Sequence, residues 1–382
     1  MTGRAWIPVF VVPLVVLGLG ATITSSFGFP SVKDVTKKAE KAVEKKKPEE
    51  QKPADASSGQ AEPSSAGSGK VSDVSTKFDF VPGDRVLFAD DFTQDELGEF
   101  PARWKLLEGT WETAEQQGER WLRCTSNNGH VRMKVAPSLP EFWTLEFDAA
   151  QLDNAGNTLD LAALTADGTK AWEAIFPYSG HNMWFQSGPI SADEPFGEPG
   201  GRHHFMFMAR GTALKVYVDR ERMANVPDVT QKGAPVEIDF GLGSPLKPMI
   251  TNVRFAEGCK PPQDALDQGK LVTYGIRFAT GSDVVMPESA PVLRQVSAYM
   301  EKHADVHLQI TGHTDNVGSA ASNLDLSKRR AAAVAKVLNQ QFGIGADRFV
   351  TDGRGDSAPL APNDKPEGRA MNRRVEFAKV AS

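Results

Sequence analysis

The spacing of hydrophobic residues changes along the chain, and the two spacings predict two kinds of structure. Between residues 78 and 258, short runs alternate apolar with polar residues, and clusters of Gly, Asn, Asp and Pro separate the runs. Alternation with a period of two is typical of strands that bury one face. The runs are FWTLEFDA, KAWEAIFPY, NMWFQS, HHFMFMAR, ALKVYVDR, VEIDFGL and PMITNVRFA. Many short strands with turns between them predict an all-β sandwich.

After residue 270, strand-like runs alternate with longer helical patterns. LVTYGIRF, HLQITG, RFVTDGRG and RRVEFAKV are typical of strands. Residues 287–303 and 323–342 carry apolar residues at helical spacing. Pro287 suits the first turn of a helix, where no N–H donor is required. This order predicts an α/β domain of the pattern β-α-β-α-β-β, with one sheet and two helices.

A polar turn lies between HLQITG and the second helix. Gly312 and the pair Gly318–Ser319 interrupt the apolar pattern, so we expect the chain to turn at both places. Asp315 then follows a strand directly, and Arg330 lies inside the next helix, so the two side chains are placed to converge on one pocket. A carboxylate can hold an ammonium group, and a guanidinium binds a carboxylate through two parallel hydrogen bonds. The pair therefore predicts a site for a zwitterionic ligand.

Four motifs in this region resemble the signature of the OmpA-like peptidoglycan-binding domain. They are GHTDNVGS, NLDLSKRRAAAV, GRGDSAPLAPND and NRRVEF, and the resemblance extends over residues 270–380. It implies that Asp315 of the GHTD motif and Arg330 of the LSxxRA motif clamp the meso-diaminopimelate of the peptide stem. It also implies lesser contacts by Thr314, Asn323 and Arg374.

The chain departs from this family's pattern at one position. Many members carry an acidic residue directly after the phenylalanine of the first strand, whereas this chain has Ala279 there. The resemblance therefore implies that a ligand contact at this place is lost or is taken over by Asp283.

Two segments of the middle region, FADDFTQDELGEFPARW and RHHFMFMARGTALKVYVDRERM, are similar to concanavalin- or laminin-G-like jelly rolls. Aromatic rings stack on sugars or fill a core, and a sugar-stacking face would make the sandwich lectin-like. Both interpretations stay open for Trp104, Trp111, Trp121, Trp143, Trp172 and Trp184. Asp90 and Asp91 carry the hard oxygens that calcium prefers, or they end a strand without an ion. We expect no other cofactor.

An enzyme is the alternative for the middle region. Glu146, Asp148 and Gln151 fall near the ExDxxE spacing of laminarinase-type jelly-roll glycosidases, and alternation places the two carboxylates on one strand face. Retaining hydrolysis needs a second carboxyl that serves as acid and then as base. Gln151 cannot transfer that proton, so we expect no enzymatic activity.

The N-terminus predicts export. Residues 5–23 are apolar and uncharged, which is typical of a signal peptide or a membrane anchor. A flagellar-stator-like ion channel would need an ionisable residue within its membrane helix, and this segment carries none. The following residues are rich in Lys, Pro, Ala, Ser and Glu and predict a disordered linker. We expect a signal peptide or anchor at 1–30, a linker at 31–76, the β-sandwich at 77–259, a short linker at 260–269 and the OmpA-like domain at 270–382.

Charge and cysteines narrow the class of protein. The formal net charge of −6 argues against a nucleic-acid partner, which requires a basic face. Cys124 and Cys259 form one disulfide in an oxidising compartment or are two buried thiols. We therefore expect a non-enzymatic protein of the periplasm or cell envelope that binds peptidoglycan and holds a lectin-like sandwich at the wall. A glycan or an envelope protein would be the partner of the sandwich, and the N-terminal segment would contact the membrane. A glycan-hydrolysing envelope enzyme is the alternative.

Overall fold

The computed structural model describes residues 78–134, 139–152, 158–177, 182–187, 190–195, 201–243, 247–258 and 261–380, which form one compact unit. The predicted N-terminal segment, the linker that follows it and Cys259 lie outside these residues. Within the described part of the chain, no helix is long and apolar enough to cross a membrane.

The first part of the unit consists of antiparallel strands in two sheets. The strands are β1 Arg85–Asp90, β2 Trp104–Glu108, β3 Trp111–Gln116, β4 Glu119–Cys124, β5 Asn128–Met133, β6 Phe142–Ala150, β7 Thr158–Leu164, β8 Lys170–Phe176, β9 Asn182–Ser187, β10 Ile190–Pro195, β11 Arg202–Arg210, β12 Ala213–Val218, β13 Glu221–Val226, β14 Glu237–Gly243 and β15 Met249–Glu257. The larger sheet runs β13-β12-β11-β6-β15-β4-β3, with β1 beside β15. The smaller sheet runs β10-β9-β8-β7-β14-β5-β2.

One aromatic core joins the two sheets face to face. Phe147 of β6 stacks on Phe205 of β11 with ring centroids 5.2 Å apart, and it also meets the edge of Phe240 of β14 in the smaller sheet. Five of the six tryptophans of this region are between 1% and 6% exposed: Trp104, Trp111, Trp121, Trp143 and Trp172. These five rings therefore fill the interior and do not form a sugar-stacking face.

The strand β6 is buried on both faces. Trp143, Leu145 and Phe147 belong to the core between the sheets, so alternation places Glu146 and Asp148 on the opposite face. These two carboxylates are only 8% and 3% exposed. A strand at the surface of a sandwich normally keeps one face in water. Here the second part of the unit covers that face, so buried charges lie between the two parts.

The second part is an α/β domain. Its elements are α1 Pro262–Asp267, β16 Lys270–Thr273, α2 Ala290–Lys302, β17 Leu308–His313, α3 Ala320–Phe342, β18 Phe349–Gly355, α4 Pro366–Asn372 and β19 Val375–Lys379. The sheet runs β16-β19-β17-β18, and only β17 and β18 are parallel. Its core also includes Met206, Met208 and Tyr217 from the outer face of the larger β-sheet.

The order of elements differs from the predicted pattern in two places. The short helix α4 lies between the last two strands, and α1 occupies part of the segment predicted as a linker. Both helices begin with proline and span fewer than two full turns, so neither shows an apolar stripe that periodicity could reveal. Arg369 of α4 is only 6% exposed, because α4 packs on the sandwich and not in water.

The chain does not turn at Gly312, contrary to expectation. Gly312 lies within β17, and a Cβ atom there would come within 2.3 Å of the carbonyl oxygen of Ser327 in α3. The glycine therefore allows α3 to pack directly on β17. The turn comes at Gly318, whose φ of 94° is the left-handed region that glycine tolerates. This close packing holds the end of β17 beside α3.

Candidate ligand-binding site

Asp315 lies just beyond the end of β17 and is 8% exposed. Its Oδ2 accepts a hydrogen bond of 2.6 Å from Nη1 of Arg373, and its Oδ1 accepts one of 3.1 Å from the backbone N–H of Val317. The carboxylate is thus oriented by its own turn and already faces a cationic group. It is able to hold an ammonium ion if Arg373 moves aside.

Thr314 and Asn323 support this turn from inside. Each side chain donates to the carbonyl oxygen of Asp315, at 2.8 Å from Oγ1 of Thr314 and at 3.2 Å from Nδ2 of Asn323. Both residues are 5% exposed. Their described bonds position Asp315, and direct contact with a ligand stays a prediction.

Arg330 projects from α3 across the ring of Phe278, with its Cζ 4.8 Å from the ring centroid. Its Nε donates to the carbonyl oxygen of Ser282 at 2.9 Å. Among the described residues, its two terminal nitrogens have no hydrogen-bond partner. Burial lowers the pKa of this guanidinium, and the nearby charge of Asp315 opposes that effect. The two terminal nitrogens therefore form a bidentate donor pair in a partly desolvated position.

The two adjacent arginines of the NRRVEF motif have different surroundings. Arg374 is 5% exposed, and its Nε donates to Glu376 at 2.8 Å while its Nη2 donates to the carbonyl oxygen of Ala358 at 3.1 Å. Arg373, which no sequence argument singled out, is the one that contacts Asp315. The motif marks both arginines equally, so only the fold separates their roles.

The position expected to replace a family acidic residue is already paired. Oδ1 of Asp283 accepts from Nη1 of Arg329 at 2.8 Å, and Arg329 also bonds Asp325 one turn earlier in α3. Asp283 therefore lies beside the neighbour of Arg330, with its carboxylate engaged on the exposed side of α3.

A cleft of about 360 Å³ runs between the α/β domain and the sandwich. Arg277, Phe278, Arg330 and Arg373 line it from the α/β side. The sandwich lines it with acidic and basic side chains, among them Asp91, Glu146, Arg202 and His204. A smaller cavity of about 150 Å³ shares Phe278, Arg330 and Arg373. Both volumes meet at Arg330, and the larger one is of the size that small ligands occupy.

Glu146 and Asp148 lie together on one face of β6, as the spacing predicted, and are paired with basic side chains. Arg254 donates to Glu146 at 2.9 Å, and His204 bonds Asp148 through Nδ1 at 2.8 Å. Arg202 donates to the second oxygen of Asp148 at 2.7 Å. Burial raises the pKa of both carboxyls, but these bonds and charges outweigh it, and both pKa values lie below their usual range.

Asp90 and Asp91 end β1 and have protein partners. The carboxylate of Asp90 accepts from Nε1 of Trp104 and from the backbone N–H of Phe92, both at 3.0 Å, and burial raises its pKa to about 6. Asp91 accepts from Arg369 at 2.9 Å. Within the described ranges, no group of three or more His, Cys, Asp and Glu is placed to hold a metal.

Cys124 is a buried free thiol in this structure. Its Sγ lies 3.5 Å from the carbonyl oxygen of Ser126, and burial raises its pKa. Cys259, the other cysteine of the predicted disulfide, lies outside the described residues. The thiol acts as a small apolar group in the core.

Comparison with known proteins assigns the second part of the unit to a family. Residues 277–373, about a quarter of the chain, match the OmpA family. The chain is 36% identical over 121 residues to outer membrane porin F of Pseudomonas aeruginosa, a match that covers 32% of this chain and 33% of that protein. It is 38% identical over 120 residues to the peptidoglycan-binding protein ArfA of Mycobacterium tuberculosis, covering 31% of this chain and 36% of that protein.

Among solved structures, the chain is similar to the peptidoglycan-associated lipoprotein from Burkholderia pseudomallei, with 27% identity and a TM-score of 0.27. That match covers 30% of this chain and 93% of the solved chain. The chain spans about a third of the length of the curated relatives it matches. Asp315, Arg330, Thr314 and Asn323 lie within the matched family range, and Arg374 follows it directly.

Proposed function

We propose that the C-terminal domain, a member of the OmpA family over residues 277–373, binds peptidoglycan without forming a covalent bond. In this proposal Asp315 holds the ammonium group of meso-diaminopimelate, and Arg330 binds the carboxylate beside it. The name of one relative, a peptidoglycan-binding protein that is 38% identical over 120 residues, supports this choice of ligand.

The observation that carries the proposal is the state of Arg330. This side chain is half-buried and lines both cavities, and its two terminal nitrogens have no hydrogen-bond partner among the described residues. A carboxylate ligand restores both bonds at once in the fork geometry that arginine favours. The side chain is therefore arranged for an anion that the described chain itself does not supply.

The contact between Arg373 and Asp315 fits the same proposal. A guanidinium at 2.6 Å from the carboxylate occupies the place that a ligand ammonium would take. Arg373 has a second acceptor within reach, because its Nη1 lies 4.0 Å from Oδ2 of Asp91 in the sandwich. Ligand binding would thus exchange one cation for another at Asp315 and shift Arg373 towards Asp91.

Binding to purified diaminopimelate-type sacculi tests this function. We expect pull-down of the full chain to fall to background in Asp315→Ala and in Arg330→Ala, because each variant removes one half of the clamp. Arg329→Ala is the matched control: it removes a neighbouring arginine of α3 that pairs with Asp283 and Asp325. Circular dichroism checks that all variants are folded. Undiminished binding by both clamp variants would refute the assignment.

The β-sandwich is the part that we propose is held at the wall, as a jelly roll of lectin-like function. Its described tryptophans are mostly interior, so a glycan surface has to be built from other side chains. We propose no enzymatic activity, since a general acid of a retaining glycosidase needs a carboxyl with a raised pKa. The pKa values of Glu146 and Asp148 are lowered instead. Absence of glycan-array binding by the full chain would refute the lectin-like assignment.

Together these assignments describe a protein of the cell envelope. The wall-binding domain supplies attachment, and the sandwich faces one side of the attachment site. We also propose that the N-terminal segment directs export of the protein. That segment lies outside the described residues.

A further inference from the structure

Arg277 has no adequate partner although it lies at the centre of the cleft wall. Its side chain is 32% exposed, and its Nη1 is buried without a hydrogen-bond partner within the described residues. Its other terminal nitrogen, Nη2, lies 3.8 Å from Oδ1 of Asp148, which is too long for a hydrogen bond. A donor kept in this state is costly unless something else accepts from it.

Asp148 is not available to satisfy Arg277. Three other side chains already donate to its oxygens: Arg202 at 2.7 Å, Asn252 at 2.8 Å and His204 at 2.8 Å. With three donors already bound, Asp148 attracts Arg277 electrostatically but makes no hydrogen bond with it. The sandwich therefore holds Arg277 in place while leaving its donors open.

Arg277, Phe278 and Arg330 line the same cleft from the α/β side. Neither guanidinium is fully hydrogen-bonded by the described chain. Two open guanidiniums in one cleft of about 360 Å³ suit one ligand that carries two carboxylates. The sandwich wall excludes water from one side, which strengthens both charge interactions.

We propose that Arg277 forms a second anion subsite, which binds a carboxylate of the peptide stem other than the two that belong to diaminopimelate. This inference rests on the proposed function, since Arg330 has to hold the diaminopimelate end. The chemical class of the ligand is then a peptide with a free α-carboxylate next to its diaminopimelate residue. Amidation of that carboxylate would remove the group that Arg277 recognises.

Three soluble probes test the subsite on the full chain: meso-diaminopimelate alone, the tripeptide L-Ala-γ-D-Glu-meso-diaminopimelate, and the same tripeptide with the glutamate α-carboxylate amidated. We expect Arg277→Gln to weaken binding of the acid tripeptide about tenfold or more, as loss of a hydrogen bond to a charged group does. Affinity for the other two probes should stay within about twofold, because both keep the two diaminopimelate carboxylates and lack only the glutamate α-carboxylate that Arg277 binds.

Two further variants separate this inference from the function beneath it. Arg330→Ala should abolish binding of all three probes, and failure to do so would refute the proposed function itself. Arg329→Gln should change the affinity for none of the three probes, because the side chain of Arg329 pairs with Asp283 and Asp325. If Arg277→Gln lowers all three affinities equally, or leaves the acid tripeptide unchanged while Arg330→Ala abolishes binding, then the second subsite is wrong.

Discussion

The sandwich and the α/β domain each contribute a cluster of acidic and basic side chains near the cleft between them. In the sandwich, the buried carboxylates of Glu146 and Asp148 bond Arg254, His204 and Arg202. In the α/β domain, Arg330 bonds one carbonyl oxygen and keeps its terminal nitrogens without partners in the described chain. The two clusters use the same chemistry and differ in which groups are already bonded. In the sandwich both carboxylates have close donors, and we call this cluster closed for that reason, although the buried Nε2 of His204 and Nε of Arg254 have no partner among the described residues. In the α/β domain the guanidinium of Arg330 lines a cleft that a ligand could enter.

That difference separates structure from function more reliably than residue type does. A buried charge cluster whose carboxylates are already bonded to basic side chains stabilises one arrangement of the chain and leaves those carboxylates little capacity for a ligand. A cluster with open donors is expensive in the free protein and becomes satisfied on binding. Glu146 and Asp148, which resemble a catalytic pair in sequence, are of the first kind. Arg330, and with it Arg277, are of the second kind.

Breaking the closed cluster should have the largest effect on stability. Arg254→Ala leaves Glu146 buried at 8% exposure without its hydrogen-bonded guanidinium, and removing one partner of a buried ion pair typically costs about 3–5 kcal/mol. We expect the free energy of unfolding of the full chain, from urea titration, to fall by about that amount. Arg329→Ala, which removes two exposed ion pairs, should leave the unfolding free energy nearly unchanged. Equal losses in both variants would show that the sandwich cluster is not closed.

The sequence predicts some of these features because they depend on neighbouring residues alone. Alternation along β6 predicted that Glu146 and Asp148 share a face, and a polar turn after a strand marked Asp315. Whether that face of β6 meets water depends on a domain that lies more than a hundred residues later in the chain. The exposure of the two carboxylates was therefore beyond any local pattern.

The same limit explains the remaining errors around the site. Gly312 was predicted as a turn because a glycine in a sequence suggests one. Glycine is required there because Ser327 of α3 approaches the backbone closely, and that tertiary contact is not visible in the sequence. Arg373 and Arg374 are adjacent in one motif, and the end of α4 decides which of them contacts Asp315. A motif identifies the side chains of a site, whereas tertiary contacts determine which of them can bind a ligand.

The pH dependence of stability offers a smaller and more specific test of the closed cluster. Burial and the charge of Arg277 lower the pKa of His204, but Asp148 and Glu146 outweigh them, so its net pKa is raised. The stabilisation is then fully present below the unfolded pKa of about 6.5 and is lost as the pH rises through the folded pKa.

We therefore expect the difference in unfolding free energy between the wild type and His204→Gln to decline above about pH 6.5, with a slope of at most about 1.4 kcal/mol per pH unit for one proton. Urea titrations between pH 5 and pH 9 measure it. Arg330→Met should keep the wild-type slope, because Arg330 is not bonded to this cluster. A flat difference across this range would mean that His204 is not charged by its neighbours.

The smallest effect on stability should come from the open site. Arg330→Met removes a guanidinium whose terminal nitrogens make no described bonds, and methionine keeps a flexible apolar side chain that can lie on the ring of Phe278. Loss of the bond to Ser282 and relief of the desolvated charge oppose each other, so the unfolding free energy should stay within about 1 kcal/mol of the wild type. Binding to sacculi should nevertheless be lost, because the variant removes the fork of donors that we propose holds the diaminopimelate carboxylate. A fall of several kcal/mol in unfolding free energy would contradict this comparison. It would mean that Arg330, like the side chains of the closed cluster, makes contacts that stabilise the fold.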